Sequence, residues 1–165
     1  MFRKLIIRTL VLGGAVLTLT SATGPDTIVR PPKFNYTMTT LPNGLQVVYL
    51  EDHSTPIVHL ALWYHVGSKD EKPGRTGFAH LFEHLMFKGS RNVRPDAHPS
   101  WITSVGGQAN AFTDEDATVY WETVPAQYLP LVLWLEADRM ASLEVTDDKF
   151  KNEREVVKEE RRMRV

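Results

Sequence analysis

The chain contains no cysteine. Disulfide scaffolds, thiolate metal sites and cysteine nucleophiles are therefore excluded together, and any chemistry must come from histidines, carboxylates and hydroxyls. Neither sign of charge dominates: 19 Lys+Arg face 20 Asp+Glu, a formal charge of -1, which gives no electrostatic footprint for nucleic acid. Beyond the N-terminus no apolar run approaches the ~18 residues needed to cross a bilayer. With 42% apolar and 24% charged residues among 165, the composition is that of an ordinary globular domain, and one domain is the natural count.

The N-terminus reads as an export signal. Arg3, Lys4 and Arg8 form a cationic start, Leu10 to Leu19 is apolar or small, and Thr20-Ser21-Ala22 offers small residues for cleavage after Ala22. Residues 1–22 are thus expected to be a signal peptide, with an uncleaved membrane anchor as the alternative. Either reading takes the protein out of the cytoplasm, to the periplasm or beyond, and the lack of cysteine argues against a lipoprotein. A Pro-bearing linker over residues 23–34 leads into the folded part, residues 35–165.

Leu41-Pro42-Asn43-Gly44 is a turn signal ahead of a strand over Leu45 to Leu50. Ile57 to Val66 reads as a second strand, apolar on both faces for much of its length and hence expected to be central. A polar loop, Gly67 to Gly77, precedes a helix in which Phe78, Leu81, Phe82, Leu85 and Met86 have the spacing of one buried stripe. A helix over Pro99 to Val105 ends at Gly106-Gly107. Gln108 to Thr113 and Ala117 to Val124 form a hairpin around Asp114-Glu115-Asp116, and Gln127 to Ala141 is a further amphipathic helix.

The other face of the Phe78 helix carries chemistry. His80 and His84 are four residues apart, about 40° around the helix and one turn along it, with Glu83 beside them. Two imidazoles so spaced reach a single cation. Zn²⁺ is the usual occupant of nitrogen and carboxylate sites without sulfur, and Glu83 stands where it could act on a water at that cation.

A third ligand is needed, and the C-terminal segment offers one. Lys149 to Val165 lacks Gly and Pro and reads as a helix, with Thr146 or Asp147 as N-cap. Glu160 falls between Val156, Val157 and Met163 on the inward side, where a carboxylate is costly unless a cation or donor meets it. Glu159 and Glu155 point to solvent, whereas Glu153 shares the face of Glu160 and is placed to orient a ligand or a water. His53, His59, His65 and His98 lack partners at ligand spacing and read as structural or solvated.

The run Thr76-Gly77-Phe78-Ala79-His80-Leu81-Phe82-Glu83-His84-Leu85-Met86-Phe87-Lys88-Gly89-Ser90 resembles the signature of the inverted-zincin M16 metallopeptidases, the group of pitrilysin, insulin-degrading enzyme and the mitochondrial processing peptidase. The likeness continues in Gly106-Gly107-Gln108-Ala109-Asn110-Ala111-Phe112-Thr113 and in Glu153-Arg154-Glu155-Val156-Val157-Lys158-Glu159-Glu160, and it covers about residues 35 to 165. It implies Zn²⁺ held by His80, His84 and Glu160, Glu83 as general base, Glu153 in support, and an extended peptide added along the strand that carries Asn110 and Ala111. Three protein ligands leave a position for water, whose pKa the cation lowers towards ~7, so the expected function is zinc-dependent endoproteolysis of a peptide or unfolded protein.

The element order suggests an α+β fold, an antiparallel or mixed sheet covered on one side by helices, and the resemblance implies the M16 sheet-and-helix domain. Family domains run on beyond a point equivalent to Val165, and active members have a second related domain or subunit. The chain is therefore expected to be the N-terminal part of a longer enzyme. Two alternatives stay open: a non-catalytic M16-like binding or assembly protein, and non-peptide chemistry of the S-ribosylhomocysteine lyase kind. The second of these is weakened by the missing cysteine.

Overall fold

The structure, a computed structural model, describes residues 33–163, so the signal-peptide expectation and all but the end of the linker lie outside the described residues. It divides after Glu51 into two units. The first contains an antiparallel hairpin of β1 (Tyr36–Thr40) and β2 (Gln46–Leu50), in register from Tyr36 opposite Leu50 to Thr40 opposite Gln46. Its turn closes where Leu41-Pro42-Asn43-Gly44 predicts, with the Asn43 side-chain oxygen accepting the Leu45 N–H. β1 is an addition to the sequence reading: it is a short, Thr-rich stretch of five residues, all of them exposed.

The second unit follows the α+β pattern. Its sheet has the order β3-β5-β4, built from β3 (Ile57–Tyr64), β4 (Gln108–Thr113) and β5 (Thr118–Pro125), all antiparallel. This corrects the expectation of a central β3. In the described residues β5 is the middle strand and β3 alternates between exposed and half-buried positions, because Trp63, Ala61 and His59 lie on the uncovered face. The other face carries Val58, Leu60, Ala109 and Val124, which pack with Ile102 of α2 (Ala97–Ser104) and with Val132 and Leu135 of α3 (Leu129–Ser142). Ile102, Val132 and Leu135 are fully buried, each worth roughly 1.5–3 kcal/mol of transfer free energy.

Helix α1 (Phe78–Leu85) follows the β3 strand and packs against β4, β5 and α4 (Asp147–Met163). It has no capping side chain of its own. Gly77, at φ 92°, turns the chain into the helix in the left-handed region, where glycine meets no penalty. Six to eight residues of sequence away, Glu71 closes the end instead, its two carboxylate oxygens accepting the N–H groups of Gly77 and Ala79 at 2.7 and 2.9 Å. The anticipated apolar stripe of this helix is split. Leu81 and Leu85 are buried, but Phe78 and Phe82 are 44% and 48% exposed and flank, with Tyr64, Met86 and Tyr120, an apolar groove of about 480 Å³. An eight-residue helix wedged against a sheet on one flank and α4 on the next leaves a third flank uncovered. In α4, likewise, Val156 and Met163 are exposed, and the inward face is Phe150, Glu153, Val157 and Glu160.

Beneath α2 and α3 lies a buried polar cluster. His98 Nε2 is 3.2 Å from Glu122 Oε1 and 4.0 Å from Glu136 Oε1, and Arg139 donates through Nε to Glu136 at 2.7 Å and pairs with Glu122 at 3.6 Å. The guanidinium also covers the Tyr120 ring, 4.3 Å from its centroid. Burial, reinforced by a hydrogen bond to Glu122, pushes the Glu136 carboxyl up to about 8 against the opposing pull of Arg139. Burial, and then the Arg139 charge, push His98 down to about 4. Both groups are thus held neutral at pH 7.

Two stability predictions follow from these contacts. The raised Glu136 contributes stability that is complete below its ordinary 4.5 and lost as pH rises through about 8. The depressed His98 contributes stability present above its ordinary 6.5 and lost as pH falls through about 4. The two slopes oppose one another between 4.5 and 6.5, so the visible change is alkaline. Urea titrations are expected to show the unfolding free energy falling between pH 6.5 and 8, with a slope of at most about 1 kcal/mol per pH unit. Glu136→Gln, neutral at every pH, should remove that slope. Glu71→Ala should lower stability by about 1–2 kcal/mol through the lost helix cap, measured by the same titration at one pH.

Candidate metal centre

Because α1 rises one turn between His80 and His84, the two rings stand side by side, centroids 4.8 Å apart and planes at 77°. Their Nε2 atoms face each other at 3.1 Å. From α4 the Glu160 carboxylate closes the triangle, Oε2 lying 3.3 Å from His80 Nε2 and Oε1 3.7 Å from His84 Nε2. Two imidazole nitrogens and a carboxylate crowded together in this way have more lone pairs than protons to share. A tetrahedral Zn²⁺ with bonds of 2.0–2.1 Å sets its ligand atoms about 3.3 Å apart, so the three donors fit that cation in both kind and spacing.

Glu153 lies two turns before Glu160 on the same face and is only 3% exposed. Its Oε2 is 3.4 Å from His84 Nδ1, while Oε1 is 3.3 Å from Lys88 Nζ and accepts from Asn152 Nδ2 at 2.9 Å. A carboxylate on Nδ1 keeps the proton on that nitrogen and leaves Nε2 with its lone pair toward the triangle. Lys88 lies above its ordinary value. Burial lowers it, but the carboxylates of Asp96 and Glu153 outweigh that, so it stays charged beside Glu153. Glu159 and Glu155 instead pair with Arg162 and with Arg154 and Lys158 on the exposed side.

Glu83 occupies the flank of α1 that faces β4, where Thr113 donates its hydroxyl to Glu83 Oε2 at 2.6 Å. Along that flank runs a groove of about 500 Å³ bordered by His80, Glu83, Ala111, Thr113, Glu115 and Arg161. In the turn beyond β4, Asp114 N–H donates to the Ala117 carbonyl. By the alternation of an antiparallel ladder, Gln108, Asn110 and Phe112 then bond to β5, while the main-chain groups of Ala109, Ala111 and Thr113 point outwards along an edge unpaired among the described residues. The Ala111 N–H is met only locally, by the Asn110 side-chain oxygen at 2.9 Å. The Ala111 side chain borders the groove. Asn110 is exposed and stands on the opposite face, away from the three clustered donors.

Sequence reasoning missed three of these contacts. Nothing in the pattern marks Thr113 as a partner of Glu83 or Lys88 as a partner of Glu153, since both are set by how α1 meets its neighbours. His98, read as lacking partners, gains Glu122 and Glu136, and these three also bring ligand-type atoms within 4.8 Å of one another. That trio already contains the Arg139 guanidinium, which a dication would have to displace. The His80, His84 and Glu160 trio contains no such cation.

The profile of the insulinase family, peptidase family M16, matches residues 46–164. The zinc protease PqqE of Helicobacter pylori is 40% identical over 76% of this chain and 28% of its own length. A probable mitochondrial-processing peptidase subunit beta from Arabidopsis thaliana is 31% identical over 73% of this chain and 23% of its own. The crystal structure of a protease from Helicobacter pylori superposes with a TM-score of 0.77 at 38% identity, over 80% of this chain and 32% of that one. The chain thus spans between 23% and 32% of the length of these proteins. With its sequence and its fold both matching the same group, the chain belongs to the M16 family of zinc metallopeptidases.

Proposed function

We propose that this chain supplies the metal-binding and proton-transferring face of a zinc endopeptidase. The observation that carries the reading is the meeting of two imidazole nitrogens of one helix and a carboxylate of another, with contacts of 3.1 to 3.7 Å. His80 and His84 hold the cation through Nε2 and Glu160 through its carboxylate, while Glu153 fixes the His84 ring and tautomer. A bound Zn²⁺ supplies polarisation of the scissile carbonyl and acidification of the attacking water. Glu83 takes the proton from that water and later delivers it to the amine nitrogen of the departing peptide. The water oxygen becomes bonded to the carbonyl carbon as the C–N bond breaks, and no covalent link to the protein forms.

The substrate is an extended peptide or unfolded segment that adds to the outer edge of β4 through main-chain hydrogen bonds at Ala111, with Asn110 yielding its local bond to the Ala111 N–H. Because the chain spans only 28% of PqqE, further domains or a second M16-like subunit complete the cleft. Residues 1–22 direct the protein to the periplasm or outside the cell. The presence of Glu83 beside all three ligand residues supports hydrolysis over the non-catalytic alternative.

In the full enzyme, Glu83→Gln is expected to keep stoichiometric zinc while peptide hydrolysis falls by roughly 10²–10⁴-fold; turnover at the wild-type rate would remove Glu83 from the mechanism. Glu160→Gln should lose zinc on dialysis far more readily than Glu159→Gln, as read by metal analysis, and equal loss would contradict the ligand assignment. Glu153→Gln should weaken zinc affinity by about 10–100-fold, measured by competition with a chelator.

A further inference from the structure

The metal-binding residues are held by their own network, but Glu83 has one anchor. Its Oε2 accepts from Thr113 Oγ1 at 2.6 Å, a short charge-assisted bond, and no other hydrogen bond to Glu83 occurs among the described residues. The donor is itself constrained. Thr113 ends β4, paired with Thr118, and its branched Cβ limits rotation about χ1. Thr118 gives its own hydroxyl proton to the Val66 carbonyl at 3.0 Å and presents only lone pairs to Thr113 Oγ1, 3.4 Å away. The Glu83 carboxylate, charged and 2.6 Å away, is the stronger acceptor for the Thr113 proton than the Thr118 hydroxyl oxygen at 3.4 Å.

We propose that Thr113 is a positioning residue for Glu83. This rests on the reading of Glu83 as general base. The hydroxyl pins Oε2 and leaves Oε1 as the free oxygen that exchanges a proton with the attacking water. When Oε1 takes that proton, Thr113 still donates to Oε2. When the proton passes on to the leaving amine nitrogen, the original arrangement is regained with nothing else consumed. The anchor thus holds the base in one rotamer through both halves of the reaction. The same residue offers its main-chain groups along the outer edge of β4, so the strand that receives the peptide also carries the group that aims the base. An error of about 1 Å in such a placement is enough to cost ~10²-fold in rate.

The test compares Thr113→Val, which keeps the shape and removes the hydroxyl, with Thr113→Ser, which keeps the hydroxyl, in the zinc-loaded full enzyme acting on a fluorogenic peptide. Thr113→Val is expected to lower kcat by roughly 10- to 100-fold with KM and zinc stoichiometry little changed, and Thr113→Ser to stay within a few-fold of wild type. Adding Thr113→Val to Glu83→Gln should cost nothing further, since the anchor then has no base to aim. A crystal structure of the zinc-free Thr113→Val protein should show the Glu83 side chain displaced from its wild-type rotamer, a readout independent of turnover and available even for a weakly active variant. Wild-type kcat for Thr113→Val, equal impairment of Thr113→Ser, or an unmoved Glu83 would each overturn the proposal. Failure of the underlying reading looks different, because Glu83→Gln itself would then remain active.

Discussion

A carboxylate buried inside the α1–α4 contact is the constraint on which the rest of the site depends. Glu153 sits at 3% exposure on a helix otherwise covered with solvated charge, and leaving it unpaired there would cost several kcal/mol. Its partners at the α1 side are His84 and Lys88. Helix α4 can therefore dock against α1 only in the register that brings Glu153 over His84. Seven residues later, two turns along the same face, Glu160 arrives at His80. Since the earlier glutamate meets the later histidine, the two helices pass in opposite senses. One buried charge thus fixes the register that builds the triangle of donors.

The molecule uses nearly the same side chains twice, with opposite outcomes. His98, Glu122 and Glu136 are buried together much as His80, His84 and Glu160 are brought together. In the first cluster Arg139 lies among the carboxylates and between aromatic rings, and burial drives a proton onto Glu136, so charge is settled internally. In the second, the three donors face each other with no internal cation, at 19–30% side-chain exposure, open to solvent. Donor type alone does not separate a structural cluster from a ligand site. The presence or absence of a resident cation does.

Much of this was legible in the sequence because it is written in local periodicity. The four-residue step from His80 to His84 and the seven-residue step from Glu153 to Glu160 define faces of helices whatever they pack against. The Asn-Gly turn, the acidic hairpin turn and the Thr146 cap of α4, whose hydroxyl accepts the Lys149 N–H, are similarly local. What escaped depends on contacts between elements distant in sequence. Phe78 and Phe82 follow the apolar pattern, yet no element covers their flank in the second unit. Apolar residues on both faces of β3 suggested a middle strand, but β5 pairs on both sides instead. The closure of α1 by Glu71 and the hold of Thr113 on Glu83 each link residues whose meeting no periodicity encodes.

At Gly67 the loop after β3 presses against the β4–β5 turn so closely that a Cβ there would fall 2.5 Å from the main-chain carbonyl of Glu115. Ser68 and Lys69 donate their N–H groups across the same junction to Asp114 and Glu115. The riveted loop continues directly into Glu71, which grips the start of α1. Mechanically, then, the turn, the loop and the signature helix form a single block, and the span between His80 and Ala111 is set by covalent reach and backbone contact. On the α4 side Arg161 borders the same groove. A side chain as small as alanine at residue 67 would act as a wedge, prising the block apart far from any reacting atom.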